Sequence, residues 1–356
     1  MAYAFERDES VDHAIHRIAR QQAERAVTAL EGSSGDDLEH AVHDSRKRAK
    51  KLRALLRLVR PALGGARAAD RAFRDAGREL SSLRDAHATL ATFDTLVAGA
   101  PDLLPEGGVL QVREALAATA ARASASGDVR ARAETAADLL RAGARQVERA
   151  PLAESGWAAI GPGLQRTYRA GRAALEAARA DRSPATVHEW RKRAKDGWYH
   201  VRLLRGAAPS VLGPLEERFH AVSDALGDAH DLAVIADLLG ADPDRYGGRQ
   251  PVRAVCAVAE RRRVELEDRA LVVGARLYAE KPAAHARRLH RYWRAWRDVG
   301  DEAPVGGLDD LWSPDDDLDH LDFEQLRDRA GAAGLPGRLA PRRDDLVGDL
   351  RARGTG

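Results

Sequence analysis

The sequence predicts an all-α fold, and three observations lead to that prediction. Ala, Arg, Leu and Glu, which favour helices, dominate the chain. Stretches that alternate apolar and polar residues at a period of two are rare, so strands are hard to place. A long internal repeat carries no strand pattern between its matched blocks. Each repeat unit holds about four helical segments, enough for a bundle of its own.

Helices are predicted over continuous stretches of helix-forming residues, and clusters of Gly, Pro and Ser mark the breaks between them. The breaks fall at 32–35, Pro61, 101–108, Pro151, 183–184 and 241–248. The predicted helices are 10–31, 37–61, 66–99, 107–149, 154–181, 184–206, 210–240, 249–280 and 282–298. Two starts carry N-terminal signals, because Asp36 and Asp37 precede one helix and Ser183 with Pro184 opens another.

Composition changes after residue 300 and indicates three regions. Residues 301–328 hold eleven Asp or Glu and one Arg, which is typical of a solvated acidic segment. We therefore predict a helical domain at 1–299, with repeat units at about 10–150 and 154–299. An acidic linker at 300–320 and a small motif at 321–356 would follow.

Overall composition excludes several classes of protein. The net charge of the 356 residues is only +2, so any basic site must arise from local clustering. Cys256 is the one cysteine, which rules out a disulfide framework. The opening residues MAYAFERDES lack the apolar run of a secretory signal, and no apolar stretch has 18 residues. We expect a cytoplasmic protein.

The repeat is the strongest signal in the chain. The first copy, starting at Val42, reads VHDSRKRAKKLRALLRLVR, and the second, starting at Val187, reads VHEWRKRAKDGWYHVRLLR. Each copy is followed by a matched block, LRDAH at 83–87 and LGDAH at 226–230. Two blocks in the same order at nearly the same offset indicate a duplicated unit of about 145 residues.

Each copy places a row of cations on one face of a helix. At 100° per residue, the first copy aligns the residues that we call the first stripe: His43, Arg46, Lys47, Lys50 and Arg57. The second copy aligns the second stripe, with Tyr199 predicted on the same face: His188, Arg191, Lys192, Lys195 and Arg202. The apolar residues of the first copy fall on another arc: Val42, Ala49, Leu52, Leu56 and Val59.

The stripes favour an anionic partner over the alternative of a solvated surface. Like charges at i, i+3 and i+4 cost helix stability, and the duplicated unit carries that cost twice. A row of charges about 21 Å long suits a linear polyanion. No Gly-rich nucleotide loop occurs, and the stripes offer few aromatic or amide side chains for reading bases.

The two blocks resemble the CHAD family, the conserved-histidine α-helical domain, over about residues 5–299. The resemblance rests on H-x-x-R-K-x-x-K, which occurs twice, each time followed by L-x-D-A-H. It implies two four-helix bundles related by a pseudo-twofold axis, and binding of inorganic polyphosphate by both stripes. Polyphosphate granules are then a candidate location for the protein. The chain departs from its own repeat in two places, since Gly227 stands opposite Arg84 and Asp196 stands opposite Lys51.

The C-terminal tail resembles a SAP-like or transcription-terminator N-terminal-like motif, which is a helix–extended–helix unit. Its small core would comprise Phe323, Leu326, Leu335, Leu346 and Leu350. Its basic edge, a candidate nucleic-acid contact, would comprise Arg338, Arg342 and Arg343. A nucleic-acid-associated scaffold that uses the stripes and this tail is therefore the alternative function.

No enzyme, cofactor or metal site is predicted. Some CHAD proteins carry a triphosphate hydrolase domain marked by Glu-x-Glu-x-Lys, but VELED at 264–268 lacks the Lys and lies in a helical context. The histidines show no metalloprotease spacing. We expect neighbouring cations to disfavour protonation of His43 and His188 in the empty protein, and a bound polyanion to restore it between about pH 6 and 8. In the alternative, both histidines are neutral, hydrogen-bonded anchors between helices.

Overall fold

The all-α prediction is confirmed by the structure, a computed structural model that describes residues 3–81, 85–104, 106–124, 128–301 and Leu326. Apart from a bridge between Leu63 and Leu152, these described residues contain no β pairing. Their eleven α-helices are α1 (Val11–Gly32), α2 (Asp36–Val59), α3 (Ala66–Glu79), α4 (Asp85–Ala98), α5 (Glu106–Ser124), α6 (Val129–Glu148), α7 (Gly156–Ala180), α8 (Pro184–Leu204), α9 (Pro209–Ala241), α10 (Arg249–Leu277) and α11 (Pro282–Val299).

Two predicted helices are wrong as continuous elements, because each is broken in the first repeat. The segment 66–99 divides into α3 and α4, and 107–149 divides into α5 and α6. The second break lies among Ser, Gly and Asp residues, which are poor in helix interiors. The first break follows Ser81, whose hydroxyl donates to the Gly77 carbonyl at 2.8 Å and so competes with the helical pattern. The second repeat keeps α9 and α10 unbroken.

Helix packing produces one bundle from each repeat. In the first, α1 packs on α2 and α6, while α3 packs on α2 and α6. In the second, α7 packs on α8, α8 on α9, α9 on α10, and α10 returns to α7. The two share a large core with Phe73, Trp190 and Phe219 among its fully buried side chains. The pseudo-twofold relation between the bundles remains a prediction.

A second, smaller core lies where α4 and α5 pack on the far halves of α9 and α10. Its buried side chains include Phe93 and Val112 from the first repeat, and Ile235, Tyr246 and Val255 from the second. The long helices α9 and α10 therefore contribute to both cores, and the breaks in the first repeat redirect α4 and α5 onto them.

The stripe helix α2 lies at the junction of the two bundles, where it packs against both α7 and α8. Its predicted apolar arc is buried, as expected for the inward face of an amphipathic helix. The N-terminal segment crosses the same junction, since the Tyr3 hydroxyl donates to the Lys51 carbonyl at 2.9 Å and the Phe5 amide donates to the Leu203 carbonyl at 3.0 Å. These contacts hold α2 and α8 together.

The chain divides into two units, Met1–Asp301 and Glu302–Gly356. The predicted acidic linker from residue 302 onward and the SAP-like motif lie outside the described residues, apart from Leu326, and so do Arg338, Arg342 and Arg343. In the part of the chain that the structure describes, no helix combines the length and apolar character needed to cross a bilayer.

Candidate binding groove

The first stripe lies along α2 with its lysines toward solvent. Lys47 and Lys50 are exposed, whereas His43 and Arg46 are half-buried. The ammonium of Lys47 is 3.9 Å from Asp44, the one acid among residues 43–60. An exposed pair at that distance neutralises little charge, so this face of α2 remains cationic.

The second stripe lies along α8 and carries more acidic neighbours. Lys192 pairs with Glu189 at 3.3 Å, and both side chains are about half exposed. Arg202 lies 3.9 Å from Glu216. The Lys195 ammonium lies over the Trp198 ring, 5.5 Å from its centroid, which is a cation–π contact. This stripe is therefore partly neutralised, and residues 188–205 also hold six Lys and Arg against eight in residues 43–60.

Two polar atoms at the start of the second stripe are buried without a hydrogen-bond partner: Nδ1 of His188 and Nε of Arg191. The His188 ring lies 4.6 Å from the ring of His230 on α9. Burial, then His230 and the cations of the stripe, lower the pKa of His188 to about 4. The pKa of His188 is lowered as predicted, but burial contributes more than the neighbouring charges do. Proton uptake on binding of a polyanion remains a prediction.

Gly227, which stands opposite Arg84 in the repeat, makes room for Arg191. A Cβ at Gly227 would lie 3.1 Å from Nη2 and 3.2 Å from Nε of that arginine. A residue with a Cβ would require the guanidinium to shift by a few tenths of an ångström. The departure from the repeat therefore leaves space beside a stripe arginine.

Arg57 does not share the environment of the other stripe residues. Its guanidinium donates to Asp196 of α8 at 2.5 Å, and the Asp196 side chain is only 5% exposed. Arg193 also reaches Asp196, at 3.3 Å. One turn away, Nε2 of His200 donates to the Ala54 carbonyl at 2.8 Å. Arg57 thus joins the two stripe helices by an ion pair, rather than lining a surface beside them.

At the repeat-equivalent positions of this ion pair, two cations stand in place of an arginine and an aspartate. Arg202 is the repeat equivalent of Arg57, and Lys51 is the equivalent of Asp196. Burial, followed by Arg202, Arg48 and Lys47, lowers the pKa of Lys51 to about 8, against a smaller opposing effect of Asp44. Sequence reasoning did not place Lys51 in the site, although its position opposite Asp196 was visible in the repeat.

Cations from the two helices also meet at Lys195. Burial is the largest of the effects that lower the pKa of Lys195, and Arg191 of α8 and Lys47 of α2 lower it as well. Asp224 and Asp231 on α9 act in the opposite direction. Lys47 on α2 is therefore close enough to Lys195 on α8 to affect its charge. We call the surface that carries the two stripes the basic groove, and its continuity remains a prediction.

Tyr199 is not part of this surface. Its side chain is 2% exposed and contacts the Tyr3 ring edge-on, with centroids 5.9 Å apart. The helical wheel places Tyr199 near the stripe, but the Tyr3 ring of the N-terminal segment packs against it. Among the described residues, no group of three or more His, Cys, Asp or Glu side chains is arranged to hold a metal ion.

The described residues form an all-α fold in which α2 and α8 each carry a row of cationic side chains. A model of the CHAD domain matches residues 16–240, more than half of the chain, and the chain belongs to the CHAD domain family. No curated protein matches the chain. A solved structure, the crystal structure of the CHAD domain from the plant Ricinus communis, is similar at 19% identity and a TM-score of 0.48. The similarity covers 85% of this chain and 97% of that one.

Proposed function

We propose that the protein binds inorganic polyphosphate along the basic groove without catalysing a reaction on it. Membership of the CHAD family supports this ligand, and the cations of α2 and α8 supply the charge it needs. A groove that runs along two helices would suit a chain of repeating phosphates. Such a ligand needs many similar cations and no base-reading groups.

The observation that carries the proposal is the mutual effect of cations on different helices. Lys47 of α2 lowers the pKa of Lys195 on α8, and Arg202 of α8 lowers the pKa of Lys51 on α2. Cations that disfavour one another's charge in the empty protein are stabilised when a polyanion lies between them.

The contact set follows from these placements. The lysines of both stripes, Arg46, Arg191 and Arg202 would contact phosphate, and Lys51 joins them. Arg57 would act through Asp196, by holding α8 against α2. His188 would donate a hydrogen bond, and His43 would occupy the equivalent place on α2.

Charge reversal tests the groove. Replacing Lys47, Lys50, Lys192 and Lys195 by Glu should abolish binding of long-chain polyphosphate and leave far-UV circular dichroism unchanged. In wild type, log K should fall with log salt by about 0.7 per phosphate contact, by analogy with single-stranded nucleic acids. Titration calorimetry at several salt concentrations measures both effects.

A matched control removes the same charge elsewhere. Lys281, Arg287, Arg291 and Arg294 are exposed residues at the start and along the surface of α11. Replacing these four by Glu changes the net charge equally, and binding should persist. Equal loss of affinity in the two variants would show that overall charge, rather than the groove, attracts polyphosphate.

A further inference from the structure

A cavity of about 580 Å³ lies at the C-terminal end of α2, beyond the last residue of the first stripe. It is lined by Arg60, Leu63, Gly65, Ala66, Arg67 and Arg166. Its volume lies in the range of about 300–1,000 Å³ that small-molecule sites occupy. The lining differs from that of a typical apolar pocket, because half of the side chains are guanidinium groups.

Three elements supply these arginines. Arg60 follows α2, Arg67 lies in the first turn of α3, and Arg166 lies on α7. Among the described residues, the lining contains no carboxylate. Burial and then the charge of Arg60 lower the pKa of Arg166, so two of the cations are close enough to disfavour each other.

The position of Arg166 is fixed by the packing of α7 on α2. A Cβ at Gly163, one turn earlier, would overlap the Leu58 carbonyl, so glycine permits the two helices to touch. Arg166 then lies over the end of α2, where its Nη2 donates to the Arg57 carbonyl at 3.0 Å. This bond uses one of five N–H donors and orients the guanidinium without neutralising it.

The start of α3 adds to the positive potential of the cavity. Gly65 precedes α3 with φ 71°, and no side chain caps the helix there. Backbone N–H groups at a helix N-terminus carry partial positive charge and favour anions. Ala66 and Arg67, which begin α3, are lining residues, so a helix start supplements the three arginines.

The other repeat provides an internal comparison. Arg205, the equivalent of Arg60, lies 3.6 Å from Glu216, whose side chain is only 11% exposed. The second repeat thus supplies its own carboxylate at this position. In the first repeat the corresponding cation faces an open cavity with two further arginines.

We propose that this cavity is a second anion site, separate from the basic groove, which binds a phosphate group or a short phosphate chain. Guanidinium groups match phosphate oxygens with paired hydrogen bonds, and three of them suit a multiply charged ligand. The phosphate could come from a free small phosphate or from the end of a polyphosphate chain. The site does not depend on the groove for its ligand.

Inorganic triphosphate is the probe, titrated calorimetrically into the full chain at low salt. Arg67→Gln and Arg166→Gln should each weaken binding by about tenfold or more, as expected for loss of a charge-assisted contact. Arg205→Gln, the matched control, should leave triphosphate affinity within about twofold of wild type. Arg67 is exposed, so Arg67→Gln still tests the site if Arg166→Gln perturbs folding.

The groove variant separates this site from the proposed function. Protein with the four stripe lysines replaced by Glu should still bind one triphosphate, although it no longer binds the long chain. Wild-type affinity for triphosphate in the Arg67→Gln/Arg166→Gln double variant would overturn the proposal, and so would absence of triphosphate binding in wild type. Failure of long-chain binding alone would count against the groove only. If Arg67→Gln also weakens long-chain binding, the chain end is the source of the phosphate, whereas unchanged long-chain binding indicates a free small phosphate.

Discussion

Arg57 and Arg202 occupy equivalent positions in the repeat, yet their removal should have opposite consequences. Arg57→Gln breaks the ion pair with the buried Asp196 and should chiefly lower the free energy of unfolding. Arg202→Gln removes a cation that faces Lys51 and should chiefly lower affinity for polyphosphate. The two substitutions change the same residue type in the same way, so each serves as the control for the other.

The magnitudes follow from the two environments. Removing one partner of a buried ion pair costs about 3–5 kcal/mol. Arg193 remains 3.3 Å from Asp196, and Arg57 itself is 27% exposed, so we expect about 2 kcal/mol for Arg57→Gln. Arg202 is 40% exposed and lies 3.9 Å from Glu216, so its removal should change stability by less than about 1 kcal/mol.

Urea unfolding followed by far-UV circular dichroism gives the stability of both variants, and calorimetric titration with long-chain polyphosphate gives their affinity. Arg202→Gln should bind about tenfold more weakly, as for loss of one charge-assisted contact. Arg57→Gln should bind like wild type where it is fully folded. If Arg57→Gln keeps wild-type stability and loses affinity as Arg202→Gln does, the assignment of Arg57 to a structural role is wrong.

Three further predictions concern pH and packing. Polyphosphate affinity should fall as pH rises above about 8, because Lys51 then loses its proton, and the fall should be up to about tenfold per pH unit for each proton lost. Lys51→Arg should reduce that fall because arginine stays charged. Equal pH profiles of wild type and variant would count against Lys51 as a contact. Burial lowers the pKa of His200 to about 4. As pH falls, the unfolded state therefore takes up the proton of His200 before the folded state does. The free energy of unfolding should decrease by up to about 3 kcal/mol between pH 6.5 and pH 4. Urea midpoints across this range should show a smaller loss in His200→Gln, and an unchanged loss would exclude His200 as its source. Gly163→Ala should lower the free energy of unfolding by about 2 kcal/mol or more, because its methyl group would overlap the Leu58 carbonyl. An unchanged urea midpoint in this variant would contradict the close approach of α7 to α2.

Local sequence patterns predicted much of the fold. The apolar arc of α2, from Val42 to Val59, is buried because helical periodicity alone determines which residues share a face. The breaks after α3 and after α5 were missed although Ser, Gly and Asp residues lie beside them, because long runs of helix formers surround both places. The packing of α4 and α5 on the second repeat decides their direction. Propensity is a weak guide where tertiary contacts act.

The site was predictable only as far as each helix could be considered separately. The repeat identified both stripes, but it treated Arg57 and Arg202 as equivalents. Their different roles depend on which side chain faces each of them across the helix crossing, Asp196 in one case and Lys51 in the other. The arginine cavity could not be predicted from local sequence patterns, because Arg166 hydrogen-bonds to the Arg57 carbonyl, which is 109 positions away in the chain.

Competition between two polyanions tests the proposed function most directly. Labelled long-chain polyphosphate is bound to the full chain, and unlabelled polyphosphate or duplex DNA is added at equal concentrations of phosphate. Because the groove offers point charges and few groups that read bases, polyphosphate should displace the label at far lower concentration than DNA does. Equal displacement by DNA would contradict a polyphosphate-specific groove and would favour a nucleic-acid-associated scaffold instead.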